Sequence, residues 1–192
     1  MMRSFKISAF ITDTLISSGK IQKEFREAYI YSYDYIIEFL CYVIFTLIIG
    51  SLFHLFVPSA LFLCTVIPLR YCAGGYHAAK KSSCMVLSYS SYLLVAVLHR
   101  HVINYAALLY LIQIVLSVPI IIMSPVDNPL KRFRKDGKNS LKLKCLILVT
   151  AGSLFSFLLL LLNLPEYCTT ISLCYIIVLS NQLLGLIKYK GK

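Results

Sequence analysis

The chain has no Cys-X-X-Cys pair, although seven cysteines occur among its 192 residues. That absence, together with the odd count, excludes a zinc-finger type of site and a paired disulfide framework. No metal or other cofactor is expected. Cys41, Cys64 and Cys174 stand inside apolar runs, where cysteine behaves as a small hydrophobe. Acids are scarce too: eight Asp and Glu oppose nineteen Lys and Arg, a formal net charge of +11. Such an excess raises nucleic acid as a partner. The cations lie between apolar stretches rather than along one polar face, so nucleic acid is excluded. No internal repeat occurs. Residues 1–33 lack the continuous apolar core and small-residue cleavage site of a secretory signal, despite Arg3 and Lys6 at the front.

Apolar side chains are what the chain has in quantity: 59% of residues are hydrophobic and the mean hydropathy is +0.79. A soluble domain of this length is about half apolar. The expectation is one all-α, polytopic membrane domain with about six transmembrane helices and an N-terminal amphipathic segment. In residues 1–34, Ile7, Phe10, Ile11 and Leu15 recur at helical spacing, and Ile21, Phe25 and Tyr29 do so again after Gly19. The pattern fits two short helices on the membrane surface, or a cytoplasmic cap packed on the bundle. The membrane domain is placed at 35–187. Tyr35 to Leu69 reads as a helical hairpin turning near His54 and Pro58, its second arm short of the roughly 20 residues of a full crossing. Glu38 and His54 read as interfacial. Later spans are expected at Cys84–Leu98, Tyr105–Met123, Cys145–Asn163 and Cys168–Ile187, with polar loops at 70–83 and 124–144 and a basic tail at 188–192. His99-Arg100-His101 reads as a solvated turn. With the N-terminus inside and six spans, Arg100 is the one cation left outside, a bias that sets orientation. Both termini and both polar loops are therefore expected in the cytoplasm, where thiols stay reduced.

The stretch Arg70 to Cys84 reads RYCAGGYHAAKKSSC and joins a Gly pair, an imidazole, three cations and two thiols, Cys72 and Cys84. Cysteine supplies a nucleophile when ionised, and histidine is the base that ionises it. In one unbroken helix, residues seven apart rise about 10 Å from each other. A working His77–Cys84 pair therefore needs a break. Gly74 and Gly75 loosen the chain ahead of His77, and Ser82 or Ser83 can start a fresh helix. Cys84 would then sit in its first turn, where the helix dipole, Lys80 and Lys81 favour a thiolate. The plainer reading is a loop histidine and an interfacial cysteine with no shared task.

Arg70, Gly74, Gly75, His77 and Cys84, with Pro125-Val126-Asp127-Asn128-Pro129 and the basic run after it, resemble the signature of the accessory gene regulator B family. These are membrane cysteine endopeptidases of Gram-positive quorum sensing. The resemblance covers nearly the whole chain. It implies a small precursor peptide as substrate, cut by Cys84 through a thioester acyl-enzyme. A Cys or Ser of the retained peptide would then close a thiolactone or lactone ring, the autoinducing signal. It also implies a multi-pass cell-membrane protein in contact with lipid; pairing of two copies is left open.

Supporting roles have alternatives. Arg70 would stabilise the oxyanion, bind a substrate carboxylate or anchor a lipid phosphate. Gly75 would allow close backbone approach with its amide toward the oxyanion, or be a plain turn glycine. Asp127 would orient His77 across the fold or cap a turn. Lys131, Arg132, Arg134 and Lys135 would hold an acidic precursor tail, as the resemblance suggests, or only mark the cytoplasmic side. The rival from another class is a non-enzymatic membrane transporter or peptide scaffold, with the Gly-Gly-His loop as its gating element.

Overall fold

The computed structural model describes residues 6–76, 81–126 and 135–189. Among them are seven α-helices: α1 (Lys6–Ser17), α2 (Arg26–Leu52), α3 (Phe56–Ala73), α4 (Lys81–Val102), α5 (Ala106–Met123), α6 (Lys135–Leu161) and α7 (Pro165–Tyr189). The chain divides into two units, Met1–Phe45 and Thr46–Lys192, and α2 begins in the first and ends in the second.

In the first unit, α1 ends in a turn at Gly19, whose φ of 71° suits glycine. The polarity of α1 is the reverse of a water-soluble helix. Ser8 and Thr12 are buried, while Ile7 and Phe10 are exposed. Ser8 donates to the buried carboxylate of Asp34, and Thr12 donates to the Ser8 carbonyl at 2.8 Å. Arg26 grips Asp13 with two bonds of 2.7 and 2.8 Å, and that hydrogen bond holds the Asp13 carboxyl below its usual range. The second short helix expected before Tyr33 is not a separate element. A 3-10 turn at Lys23–Phe25 leads directly into α2. Residues 26–34 hold no Gly or Pro to stop the apolar helix that follows, so the fold starts that helix nine residues before its apolar run.

The second unit is a helical bundle. Among the described residues of the whole chain, five stretches are long and apolar enough to cross a membrane: Lys23–Leu52, which lies mostly in the first unit, and Phe56–Ala73, Ser83–Met123, Gly137–Leu161 and Pro165–Tyr189. The third is 41 residues long, about 60 Å if straight and twice a hydrocarbon core. It is in fact α4 and α5, joined by a 3-10 turn at Ile103–Tyr105. Split at that turn, the five stretches fit six crossing helices, α2 to α7. Leu94, Val115, Ile122 and Leu154 are among the large apolar side chains left exposed, as a lipid-facing surface requires.

Contacts between loops fix which helix ends lie together. At one end Arg100 donates to the Phe53 carbonyl at 2.5 Å, and His99 Nε2 lies 2.9 Å from the Glu166 carbonyl. His99 is thus buried, not a solvated turn, because α4 continues to Val102 and carries it inward. At the other end the Val126 amide donates to the Ala73 carbonyl at 2.9 Å. α3, α4 and α5 each run between these ends.

α7 is the inner helix, packed against α3, α4, α5 and α6. Cys168, Ile171, Tyr175 and Val178 join Leu69 and Cys72 of α3, Ile120 of α5 and Cys145 and Val149 of α6 in one core. Tyr175 donates to the Val149 carbonyl at 2.8 Å, and Gly152 leaves it room: a Cβ there would lie 2.5 Å from the phenol oxygen.

Candidate active site

The polar stretch 70–83 is not all loop. α3 continues through Arg70, Tyr71 and Cys72 to Ala73, and Gly74 ends it with φ 71°. Arg70 is a good helix former with a long apolar stem, so a helix crosses the membrane edge there without stopping. α3 then has 18 residues, about 27 Å, close to a full crossing. For the same reason the second polar loop is shorter than 124–144. α6 already includes Lys138, Lys142 and Lys144.

After Gly74 the chain runs extended between two supports. Gly74 forms a parallel bridge to Val126, and the Tyr76 amide donates to the Asn181 carbonyl of α7 at 2.9 Å. Gly75 has φ 132° and lies so close to α7 that a Cβ on it would be 3.0 Å from the Asn181 carbonyl oxygen. Gly75 therefore does allow close backbone approach, and here it is to the protein's own last helix. Gly185 completes the fit, since a Cβ there would lie 2.8 Å from the Gly75 carbonyl carbon and the Tyr76 nitrogen.

Side chains close the same joint. Gln182 Nε2 lies 3.1 Å from the Ala73 carbonyl, 3.3 Å from the Ile120 carbonyl and 3.1 Å from Ser124 Oγ. Ser124 Oγ in turn lies 3.0 Å from Cys145 Sγ. Arg70 donates to the Tyr76 carbonyl at 3.2 Å and to Asn181 Oδ1 at 3.4 Å. None of the three uses considered for Arg70 includes this one, in which the half-buried guanidinium ties the end of α3 to the chain beyond Gly75. Lys188 stands 4.3 Å over the Tyr76 ring, a cation–π contact of about 0.5–1 kcal/mol where exposed.

Cys84 lies in the first turn of α4, half-buried. α4 starts at Lys81, one or two residues before the expected serine start. Its far end meets Phe53 and Glu166, so Cys84 belongs to the end of the bundle that carries Gly74 and Val126. Cys72, the other thiol of the motif, is buried on α3. Lys81 is five residues after Tyr76, at most about 18 Å along the chain. His77 and Asp127 lie outside the described residues, as do Lys131, Arg132 and Arg134. Lys135 opens α6, with its side chain outside the described part. Among the described residues no three His, Cys, Asp or Glu come together as a metal site would require. A cavity of about 230 Å³ lined by Phe53, His54, His99, Arg100 and Glu166 lies at the opposite end, far from the Cys84 thiol.

Asn181, Gln182 and Gly185, which hold the segment Ala73–Tyr76, are residues that the reading of the sequence passed over. The signal was present: adjacent amides inside an apolar run are costly in a membrane and mark a site that needs them.

A family model described as AgrB: Accessory gene regulator B matches residues 8–186. No curated protein and no solved structure matches the chain.

Proposed function

The chain belongs to the accessory gene regulator B family, membrane proteins of autoinducing-peptide processing, and from that premise we propose that it is a cysteine endopeptidase with Cys84 as nucleophile and His77 as base. The observation that carries the reading is the position of Cys84: a half-buried thiol in the first turn of α4. A position in the first turn favours an anion through the helix dipole.

His77 takes the thiol proton, and Cys84 Sγ attacks the scissile carbonyl of a small precursor peptide. The tetrahedral intermediate collapses, the C–N bond breaks, and His77 returns the proton to the leaving amine. The N-terminal part of the peptide stays on Cys84 as a thioester. A Cys or Ser side chain of that part attacks the thioester, closes a thiolactone or lactone ring and releases Cys84. The acyl group stays activated throughout, and limited access of water favours ring closure over hydrolysis. Co-expression with a precursor that has an internal Cys or Ser and an acidic end tests this. Mass spectrometry should find a ring product one water lighter than the linear N-terminal fragment. Exclusively intact precursor would remove the enzymatic reading and favour a transporter or scaffold.

The end of the bundle bearing Cys84 faces the cytoplasm, a reading supported by its share of the cations: Arg70, Lys138, Lys142, Lys144 and Lys188 on this side against Arg100 on the other. Reporter fusions at Lys138 and Lys192 should read inside, and one near Glu166 outside. A strong outside signal at Lys138 would reverse the orientation. The outward Ile7 and Phe10 of α1 suit a helix lying on lipid.

The basic run Lys131, Arg132, Arg134 and Lys135 captures the acidic precursor tail. Neutralising all four should raise KM, more at low salt than at high, because screening already weakens such attraction. Turnover at saturating peptide should change little, since uniform binding acts on KM rather than kcat. Cleavage against peptide concentration at two salt levels checks this. An unchanged KM with a collapsed kcat would place these cations in the chemistry instead.

A further inference from the structure

We infer that the Asn181–Gln182 pair of α7 is the positioning device for His77, an inference that rests on the His77–Cys84 reading above. The last described residue before His77 is Tyr76, and its amide, its carbonyl and the Ala73 carbonyl are all held from α7 or through it. Tyr76 N–H donates to the Asn181 carbonyl at 2.9 Å. The Tyr76 carbonyl accepts from Arg70, whose same Nη2 reaches Asn181 Oδ1 at 3.4 Å. Ala73 O accepts from Gln182 Nε2 at 3.1 Å.

The chemistry of the pair is specific. Gln182 is fully buried, and its Nε2 faces two carbonyl oxygens and a hydroxyl. Carbonyls only accept, so this end of the side chain must be the NH₂ group. An isosteric thioether has no hydrogen to offer. The side chain of Asn181 is used at both ends, because its Nδ2 donates to the Ile177 carbonyl at 3.0 Å while Oδ1 accepts from Arg70. Glycines bring the backbones together: Gly75 and Gly185 each leave no space for a Cβ at the contact. Such a set of bonds does more than a bundle needs to close. It fixes the height and direction at which the chain leaves α7, one peptide bond before the proposed base. The same Gln182 amide reaches Ile120 and Ser124, immediately ahead of the second polar loop. Both polar loops therefore start from one clamp on the last helix.

A base held off its position fails to ionise Cys84, so the thiol's reactivity against pH reads the clamp directly. The experiment uses the full chain in lipid vesicles, iodoacetamide as probe and peptide mapping to isolate Cys84 from the other six cysteines. The alkylation profile of Cys84 in the unaltered chain is the reference. His77→Ala should slow alkylation and move that profile to higher pH, because the thiol then lacks its base. Gln182→Met should move it most of the same way, with kcat down about tenfold or more and KM little changed, as expected for a group that acts only in the chemical step. Asn181→Leu, which removes both side-chain bonds, should act like Gln182→Met, while Asn181→Asp, which keeps the acceptor for Arg70 but loses the donor to the Ile177 carbonyl, should recover part of the native profile. If Gln182→Met does not fold, the Asn181→Leu and Asn181→Asp pair decides. A folded Gln182→Met with native profile and kcat, or an Asn181 pair that behaves alike, overturns the clamp while leaving the dyad. An unchanged profile in His77→Ala overturns the dyad, and the clamp's role with it.

Discussion

Cys84→Ala and Cys84→Ser should abolish precursor cleavage, a loss on the order of a thousandfold or more, because covalent catalysis fails as a unit when its nucleophile is removed. Serine is no substitute, since its hydroxyl ionises far less readily than a thiol beside the same base. Cys72→Ala should remain active. Cys72 has 3% of its surface exposed and packs with Leu69, Ile120 and Cys145 in the core. Its loss costs packing, about 1 kcal/mol, but removes no reacting atom. The check is cleavage of a precursor peptide by the three variants in vesicles. A dead Cys72→Ala beside an active Cys84→Ala would transfer the nucleophile to α3.

Glycine substitutions should separate the loop joint from the rest of the fold nearly as sharply. Gly74→Ala puts a Cβ 2.5 Å from the Val126 carbonyl oxygen at φ 71°, and Gly185→Ala puts one 2.8 Å from the backbone of Gly75 and Tyr76. In both cases the obstacle is backbone, which cannot rotate away. Each should cost about 1–3 kcal/mol and, by moving the chain that leads to His77, lower turnover by more than that stability loss alone explains. Gly137→Ala is the control. It lies in α6 with nothing within 4 Å of the added carbon, so it should be neutral or stabilise by up to about 1 kcal/mol. Apparent melting in detergent, measured beside cleavage, checks all three. Equal behaviour of Gly137→Ala and Gly185→Ala would mean that α7 does not support the loop as described.

Much of this architecture is legible in the sequence because a membrane imposes a simple rule: apolar runs of sufficient length become helices. The runs from Tyr35, Val57, Cys84, Tyr105, Cys145 and Cys168 all lie in helices. Their ends were less legible. α2 begins at Arg26 and α6 at Lys135, well outside the apolar runs, because hydropathy marks the edge of the hydrocarbon and a helix continues past it through polar and long-stemmed residues. The thiol and imidazole stood out as candidates by their chemistry and spacing, and Cys84 does fall in the first turn of a new helix. The amides that brace this segment were not. Asn181 and Gln182 lie more than a hundred residues from Gly74 in a run that otherwise reads as one more span. Only the fold brings α7 against Gly75, and the tell-tale was their polarity within that run. His99 was missed in the opposite sense: its neighbours Arg100 and His101 are exposed, yet one helical step turns it inward to Glu166.

The acyl-enzyme is the intermediate on which the proposed reaction depends, so trapping it is the most direct measurement. The full chain in vesicles is mixed with a precursor whose ring-closing Cys or Ser is replaced by alanine, quenched at acid pH and mapped by mass spectrometry. Cys84 should carry the N-terminal part of the peptide as an adduct that hydroxylamine removes, as a thioester requires, and Cys84→Ala should carry none. Cleaved peptide with no adduct on Cys84, or an adduct on any other cysteine, would contradict Cys84 as the nucleophile.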